Sequence, residues 1–190
     1  MLVALAALVV LSPLLALTVL AIRIETAGSP VFRQRRVGLG GEPFEMLKLR
    51  TMVSGAESMG AGMAVNAGDP RITRVGAVLR RLSLDELPNL VNVLRGEMAI
   101  VGPRPTIQAQ VDQYTDQQLR RLEVRPGITG WAQVNGRASL PWSERIELDV
   151  WYVENRSFRL DLEILGRTLR MLGSGHGLYR GETGGWRPGA

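Results

Sequence analysis

Two adjacent carboxylates, Asp85 and Glu86, stand in the run Ser83-Leu84-Asp85-Glu86-Leu87-Pro88-Asn89-Leu90. Arg80 and Arg81 lie just upstream, and Arg104 follows between Pro103 and Pro105. A carboxylate pair ringed by guanidinium groups suits an anionic phosphate substrate and a hard cation bound through oxygen. An ionised carboxylate can also attack as a nucleophile, and a helix start beside Arg80 keeps Asp85 ionised. Glu86, rotated by about 100° on a helix, can face the same pocket and hold Mg²⁺. The two prolines fix the backbone around Arg104 and pre-aim its side chain for phosphate recognition. The blander alternative is a capping box, in which Ser83 is the N-cap and Glu86 reaches back to its N–H.

Composition narrows the chemistry. The chain has 190 residues, no cysteine, a net charge of +5 and a single histidine, His176, in a Gly-rich stretch. Thiol nucleophiles, thiolate metal sites and His-based triads are excluded, and the positive balance favours anionic partners. Carboxylates, hydroxyls, Lys, Arg or an oxygen-bound metal remain.

The elements that must position the pair follow from periodicity. Residues 1–22 carry no charged side chain, and a helix of that length reaches roughly 33 Å, enough to cross a hydrocarbon core. Pro13 interrupts it, because its ring clashes with the Val9 carbonyl, and the Ser12 hydroxyl can satisfy a carbonyl freed there. Two membrane topologies follow: a straight spanning anchor, or a helix-break-helix that re-enters the leaflet it left. Arg33, Arg35 and Arg36 place the globular part on the cytoplasmic side. Residues 29–34 and 44–50 read as a β-hairpin around Gly38, Gly40 and Gly41. Residues 54–68 read as a loop or lid, and residues 74–82 and 87–94 as apolar-periodic helices. A polar helix is expected over 108–123, a strand-like run at 128–134, and amphipathic helices over 142–154 and 160–172. The last suits either core packing or a membrane interface. The expected fold is therefore α+β and mostly helical, with an N-terminal membrane segment (1–22), a globule (23–172) and a Gly-rich tail (173–190).

The motifs, taken in order, resemble one family. They are Lys48-x-Arg50-Thr51-Met52, Asp69-x-Arg71-Ile72-Thr73, the Ser83–Pro88 run, Val101-Gly102-Pro103-Arg104-Pro105, and Arg125-Pro126-Gly127-Ile128-Thr129-Gly130-Trp131-Ala132-Gln133-Val134-Asn135-Gly136-Arg137. Together they are similar to the bacterial sugar transferases, the monotopic polyprenyl-phosphate phosphoglycosyl transferases, over residues 1–172. Ser12-Pro13 likewise resembles that family's break in a re-entrant membrane helix, so of the two topologies the resemblance implies the re-entrant helix-break-helix, divided at Ser12-Pro13. One departure is that the apolar run starts at Met1, where family members usually carry a short basic stretch.

The resemblance implies transfer of a sugar phosphate from a UDP-sugar to undecaprenyl phosphate, with release of UMP, at the cytoplasmic face of a bacterial inner membrane. It implies Asp85 as nucleophile in a covalent aspartyl phosphosugar intermediate, and Glu86, with Asp85, as Mg²⁺ ligand. Arg80 and the Pro103-Arg104-Pro105 segment are implied in substrate binding, with Lys48, Arg50, Asp69, Arg71 and Arg137 as further candidates. Trp131 and Gln133 fit a pocket or, equally, the core. Two other classes fit fragments of the chain. Residues 74–96 faintly resemble a helix-turn-helix, but the second helix is apolar apart from asparagine and would be buried, so no nucleic-acid partner is expected. A catalytically silent membrane scaffold is disfavoured by the presence of both Asp85 and Glu86.

Overall fold

A computed structural model describes residues 1–59, 65, 68–136 and 139–172. Among the described residues it is mostly helical with two small sheets, each of two strands.

Helix α1 (Leu2–Glu25) runs without interruption and keeps Pro13 inside it. The expected division into two helices at Ser12-Pro13 is corrected here. Proline removes one N–H, so the Val9 carbonyl loses its partner in the helix; the Ser12 hydroxyl donates to that carbonyl at 2.8 Å instead. One bond replaces another and the helix continues. The helix is long and apolar enough to cross a membrane by length and composition. Leu2, Val3, Val9, Val10, Leu17 and Ile24 on it are exposed.

Strands β1 (Val31–Val37) and β2 (Pro43–Leu49) pair antiparallel, from Val31 opposite Leu49 to Val37 opposite Pro43. Gly40 and Gly41, both at positive φ, turn the hairpin as expected. Helix α2 (Arg74–Arg81) is capped by the Thr73 side chain on the Gly76 N–H. Glu25, the last residue of α1, accepts from the Arg74 and Val75 N–H groups at 2.7 and 3.0 Å, so the two helices are joined end to start. A short 3₁₀ turn (Leu84–Glu86) separates α2 from α3 (Asn89–Leu94).

Helix α3 presses Asn89, Leu90, Asn92 and Val93 into the interior. Asn92 binds the β2 backbone, accepting from the Leu47 N–H at 3.1 Å and donating to the Glu45 carbonyl at 2.7 Å. A recognition helix needs an open face, and this face is spent on β2.

Strands β3 (Ala99–Val101) and β4 (Gly127–Thr129) form a parallel pair. The pair closes tightly on glycine: a Cβ on Gly130 would stand 2.1 Å from the Gly102 oxygen, and one on Gly127 2.2 Å from the Gly102 nitrogen. Between the strands the expected polar helix is three pieces: α4 (Gln108–Val111), α5 (Asp116–Leu119) and a 3₁₀ turn (Arg120–Glu123). The cause is Thr115, which forms a capping box with Gln118 and so restarts the helix. The strand-like run at 128–134 is also corrected. It becomes β4 followed by α6 (Trp131–Val134), on which Trp131 stacks against Trp151 at 5.1 Å. Helices α7 (Trp142–Asn155) and α8 (Phe158–Met171) complete the described fold close to their expected bounds.

Two of the apolar clusters join α1 to the globule. Ala4, with Ala7 and Leu8 beside it, packs on Phe44, Met46, Leu90, Val93 and Met98. Ile22 packs with Leu49 and Leu79, flanked by Leu15 and Val19.

Candidate active site

The carboxylate pair sits on the 3₁₀ turn between α2 and α3, not at the start of a regular helix. Ser83 enters that turn at φ 55, the left-handed region where a non-glycine residue is uncommon. Its side chain makes no cap bond to the turn, so the capping box is not formed. Glu86 is turned elsewhere: its Oε1 accepts from Lys48 Nζ at 3.0 Å and from Arg104 Nη2 at 2.9 Å. The Glu86 and Lys48 side chains are only 17% and 16% exposed, whereas Arg104 is 44% exposed and opens toward solvent.

The two carboxylates therefore have different environments. Burial alone would raise Glu86, but Arg104 and Lys48 hold it well below the usual carboxylate range. Burial pushes Asp85 up, and neighbouring Glu86 adds to this, against the pull of Lys48, Arg80 and Arg104. Glu86 is a clamped anion, and Asp85 beside it has no clamp of that kind. Separated environments of this sort are how one site assigns two roles to two acids.

Each cation reaches the pair from a different element. Lys48 comes from β2, which Asn92 holds at Glu45 and Leu47, just before it. Arg80 comes from the last turn of α2; its buried Nε has no hydrogen-bond partner, and its charge acts on Asp85. Arg104 comes from the segment after β3, whose four successive carbonyls are all held. Pro103 O accepts from the Gly127 N–H at 2.8 Å, and Arg104 O from Arg121 Nη2 at 3.0 Å. Pro105 O accepts from Arg36 Nη1 at 3.3 Å, and Thr106 O from the Val37 N–H at 2.9 Å. Pro103 and Pro105 are buried and Arg104 between them is exposed. The segment is thus rigid before any ligand arrives.

Behind it lies a buried ion pair, Arg121 Nη2 to Asp149 Oδ2 at 2.5 Å, with Arg121 also bonded to the Tyr114 hydroxyl. Tyr114 in turn donates to Thr106 Oγ1 at 3.1 Å. Burial pushes Asp149 up to about 6 against the pull of Arg121. Sequence reasoning did not single out Arg121, Asp149 or Tyr114, and it read Arg36 only as a marker of membrane orientation. No local pattern marks a pair 28 positions apart.

Among the described residues three other sequence candidates, Arg50, Asp69 and Arg71, bond elsewhere than to the pair. Arg50 donates to the Thr26 carbonyl and hydroxyl, both at 2.7 Å, and to the Ala27 carbonyl at 2.6 Å, tying β2 to the end of α1. Arg71 is buried against Asp69 at 2.7 Å and donates to the Ala56 and Met59 carbonyls. Arg137 lies outside the described residues, as do residues 60–64, 66–67 and the tail from residue 173.

Among the described residues no three His, Asp or Glu side chains converge as a metal cage. The donor set still fits Mg²⁺, which commonly takes one or two carboxylates and fills its other positions with substrate phosphate and water. Both Lys48 and Arg104 meet the same Glu86 oxygen, Oε1, so Glu86 Oε2 and Asp85 are the acceptors a hard cation would take.

Two differentiated carboxylates on one turn, set among Lys48, Arg80 and Arg104, are groups suited to phosphate chemistry, and α1, long and apolar enough to cross a membrane, packs on the same globule. Comparison with known proteins agrees: the family model described as bacterial sugar transferase matches residues 1–175. The chain belongs to the bacterial sugar transferase family. It is similar to the uncharacterized sugar transferase EpsL of Bacillus subtilis, 48% identical over 160 residues, which cover 84% of this chain and 77% of that one. It is 46% identical over 169 residues to a UDP-glucose:undecaprenyl-phosphate glucose-1-phosphate transferase of Caulobacter vibrioides, covering 85% of this chain and 63% of the relative. A UDP-N-acetylgalactosamine-undecaprenyl-phosphate N-acetylgalactosaminephosphotransferase of Aeromonas hydrophila is 42% identical over 172 residues, covering 87% of this chain and 40% of the relative. The sugars in these names differ, so family membership alone fixes no sugar.

Proposed function

We propose that this protein transfers a sugar phosphate from a UDP-sugar to polyprenyl (undecaprenyl) phosphate and releases UMP. The observation that carries the reading is the asymmetry of the pair: Glu86 is clamped by Lys48 and Arg104, and Asp85 beside it is not. An Asp85 oxygen attacks the β-phosphorus, the bond from that phosphorus to the bridging oxygen breaks, and UMP departs. An oxygen of the lipid phosphate then attacks the same phosphorus, the bond to Asp85 breaks, and the free carboxylate returns. Arg80 binds the phosphate beside Asp85, and Arg104 meets the nucleotide. Lys48 and Arg104 keep Glu86 ionised and fixed. Mg²⁺, when bound, offsets diphosphate charge and improves the leaving group.

The test is a panel of UDP-sugars with undecaprenyl phosphate, reading UMP. At least one sugar is expected to give UMP release that depends on the lipid phosphate and is lost with a chelator. A panel with no release would remove the proposal. Arg104→Ala is expected to lower kcat/KM for the nucleotide sugar by a factor corresponding to roughly 1.5–3 kcal/mol, the range for a charge-assisted hydrogen bond. Unchanged kinetics would leave Arg104 with a structural role.

The membrane topology belongs to the same reading: α1 stays one continuous helix but kinks at Pro13, so that it enters and leaves the cytoplasmic leaflet of the inner membrane. Support comes from its two ends. Ala4 and Ile22 are 1% and 2% exposed, and both pack on the globule. Eighteen residues of helix rise about 27 Å, so a spanning helix would carry Ala4 to the far side of a core about 30 Å thick. Helix α8 supports an interfacial position through Phe158, Leu162 and Leu169, all exposed, with Arg159 and Arg170 on the same helix. A cysteine at Leu2 is expected to resist impermeant reagents added outside intact cells. Labelling from outside would establish a spanning helix.

A further inference from the structure

Arg145 is a cation in an unfavourable place. It lies in the first turn of α7, where the helix dipole is positive. Its Nε is buried with no hydrogen-bond partner, and among the described residues its guanidinium has no ion-pair partner. An acid stands one turn along on the same helix face, but Asp149 is committed to Arg121 at 2.5 Å.

The surroundings say what Arg145 faces. Asp149 holds Arg121, Arg121 holds the Arg104 carbonyl, and so this face of α7 is turned to the Pro103–Thr106 segment. Trp142, in the same first turn, lies with its ring 5.5 Å from that of Tyr114, which bonds Thr106. Burial lowers Arg145 and the positive charge of Arg104 lowers it further, against the pull of Asp149; Arg36, bonded to Pro105 O, is brought down to about 10 by burial and Arg104, against the pull of Glu86 and Glu57. A guanidinium stays charged regardless, so an unpaired one at the edge of a binding site is best offset by an anion.

We propose that Arg145 is a further donor-binding residue, which takes the phosphate of the departing nucleoside monophosphate with Arg104 beside it. This rests on the transferase reading above. In a displacement at phosphorus the attacking and leaving oxygens lie roughly in line. Arg104 spans the two regions: it bonds Glu86 of the carboxylate pair, and its charge reaches Arg145. Arg80 serves the phosphate that is transferred, and Arg145 serves the one that leaves.

The experiment uses the full chain in liposomes, with Arg145→Gln and Arg145→Lys. UMP and uridine binding are measured by calorimetry, which needs no turnover, alongside KM for the UDP-sugar and for the lipid phosphate. Arg145→Gln is expected to weaken UMP binding and raise the UDP-sugar KM by about tenfold or more. Uridine binding and the lipid-phosphate KM should hold within about twofold, and Arg145→Lys should recover most of the loss. Equal loss for uridine, a change confined to the lipid-phosphate KM, or unaltered UMP binding would each overturn the assignment. So would a uniform fall in kcat with lowered Tm and no recovery in Arg145→Lys, which would make Arg145 a structural neighbour of Asp149. A wild-type protein that binds UMP but turns over no UDP-sugar would defeat the transferase reading instead, leaving the Arg145 result to be read from binding alone.

Discussion

Asp85→Asn is expected to abolish turnover, by at least roughly 10⁴-fold, and to leave the fold intact. Loss of a nucleophile that works with its neighbours as a unit can cost about 10⁶ in rate, and an amide in its place attacks phosphorus poorly. Stability should move the other way. Asp85 is partly buried, and both desolvation and Glu86 disfavour its charge, so the neutral amide removes a penalty. Lys48, Arg80 and Arg104 lose one counter-charge, which works against that gain, but Glu86 continues to hold Lys48 and Arg104. The expected result is therefore a folded, inactive protein whose Tm is equal to or slightly above wild type, the usual trade between a strained site and stability. Turnover measured with UDP-sugar and lipid phosphate, next to a thermal melt, checks both halves. A variant that is inactive because it has unfolded would not support the assignment.

The largest effect on stability is expected at Asp149. Its side chain is 4% exposed and serves as ion-pair partner to Arg121, whose side chain is 7% exposed. Asp149→Ala leaves a buried guanidinium without its counter-ion, a loss of about 3–5 kcal/mol. For a chain of this size that corresponds to a Tm lower by roughly 6–20 °C. Activity should fall as well, because Arg121 also holds the Arg104 carbonyl at 3.0 Å. Asp149→Asn adds a pH signature. The folded-state value, about 6, is above the ordinary carboxylate range. Wild-type stability from this group is therefore fully present below about pH 4 and is lost as pH rises through about 6. The asparagine variant has no such group, so its stability should be flatter between about pH 4 and 6. Parallel urea titrations at the two ends of that interval give the difference. An unchanged midpoint for Asp149→Ala would mean that the pair contributes nothing to the fold.

What could be read in the sequence was mostly local. Gly40 and Gly41 marked the hairpin because positive φ is a property of single residues. The role of Ser12 followed from the missing N–H of Pro13, and the bond to Val9 appears as expected; continuity of the helix did not follow, because one side-chain bond decides between a break and a helix that carries on. The carboxylate pair and Arg104 were legible from residue type and from the prolines. The clamp on Glu86 was not, since it depends on Lys48 arriving from β2, 38 positions away. Strands β3 and β4 have three residues each, too few for alternation to show, and their parallel pairing rests on glycines that touch only after the chain has folded. Arg50 and Arg71 looked like substrate ligands because arginine type alone does not distinguish a phosphate partner from a backbone-carbonyl partner. Thr115 carried a signal that could have been used: Thr-x-x-Gln inside the polar stretch is a helix restart.

The most direct test of the account is the intact mass of the purified protein incubated with a turned-over UDP-sugar and Mg²⁺ in the absence of lipid phosphate. The expected result is a species heavier by one sugar phosphate, missing in Asp85→Asn and discharged when undecaprenyl phosphate is added. A wild-type protein that turns over without ever carrying the added mass, or an adduct that persists in Asp85→Asn, would contradict it.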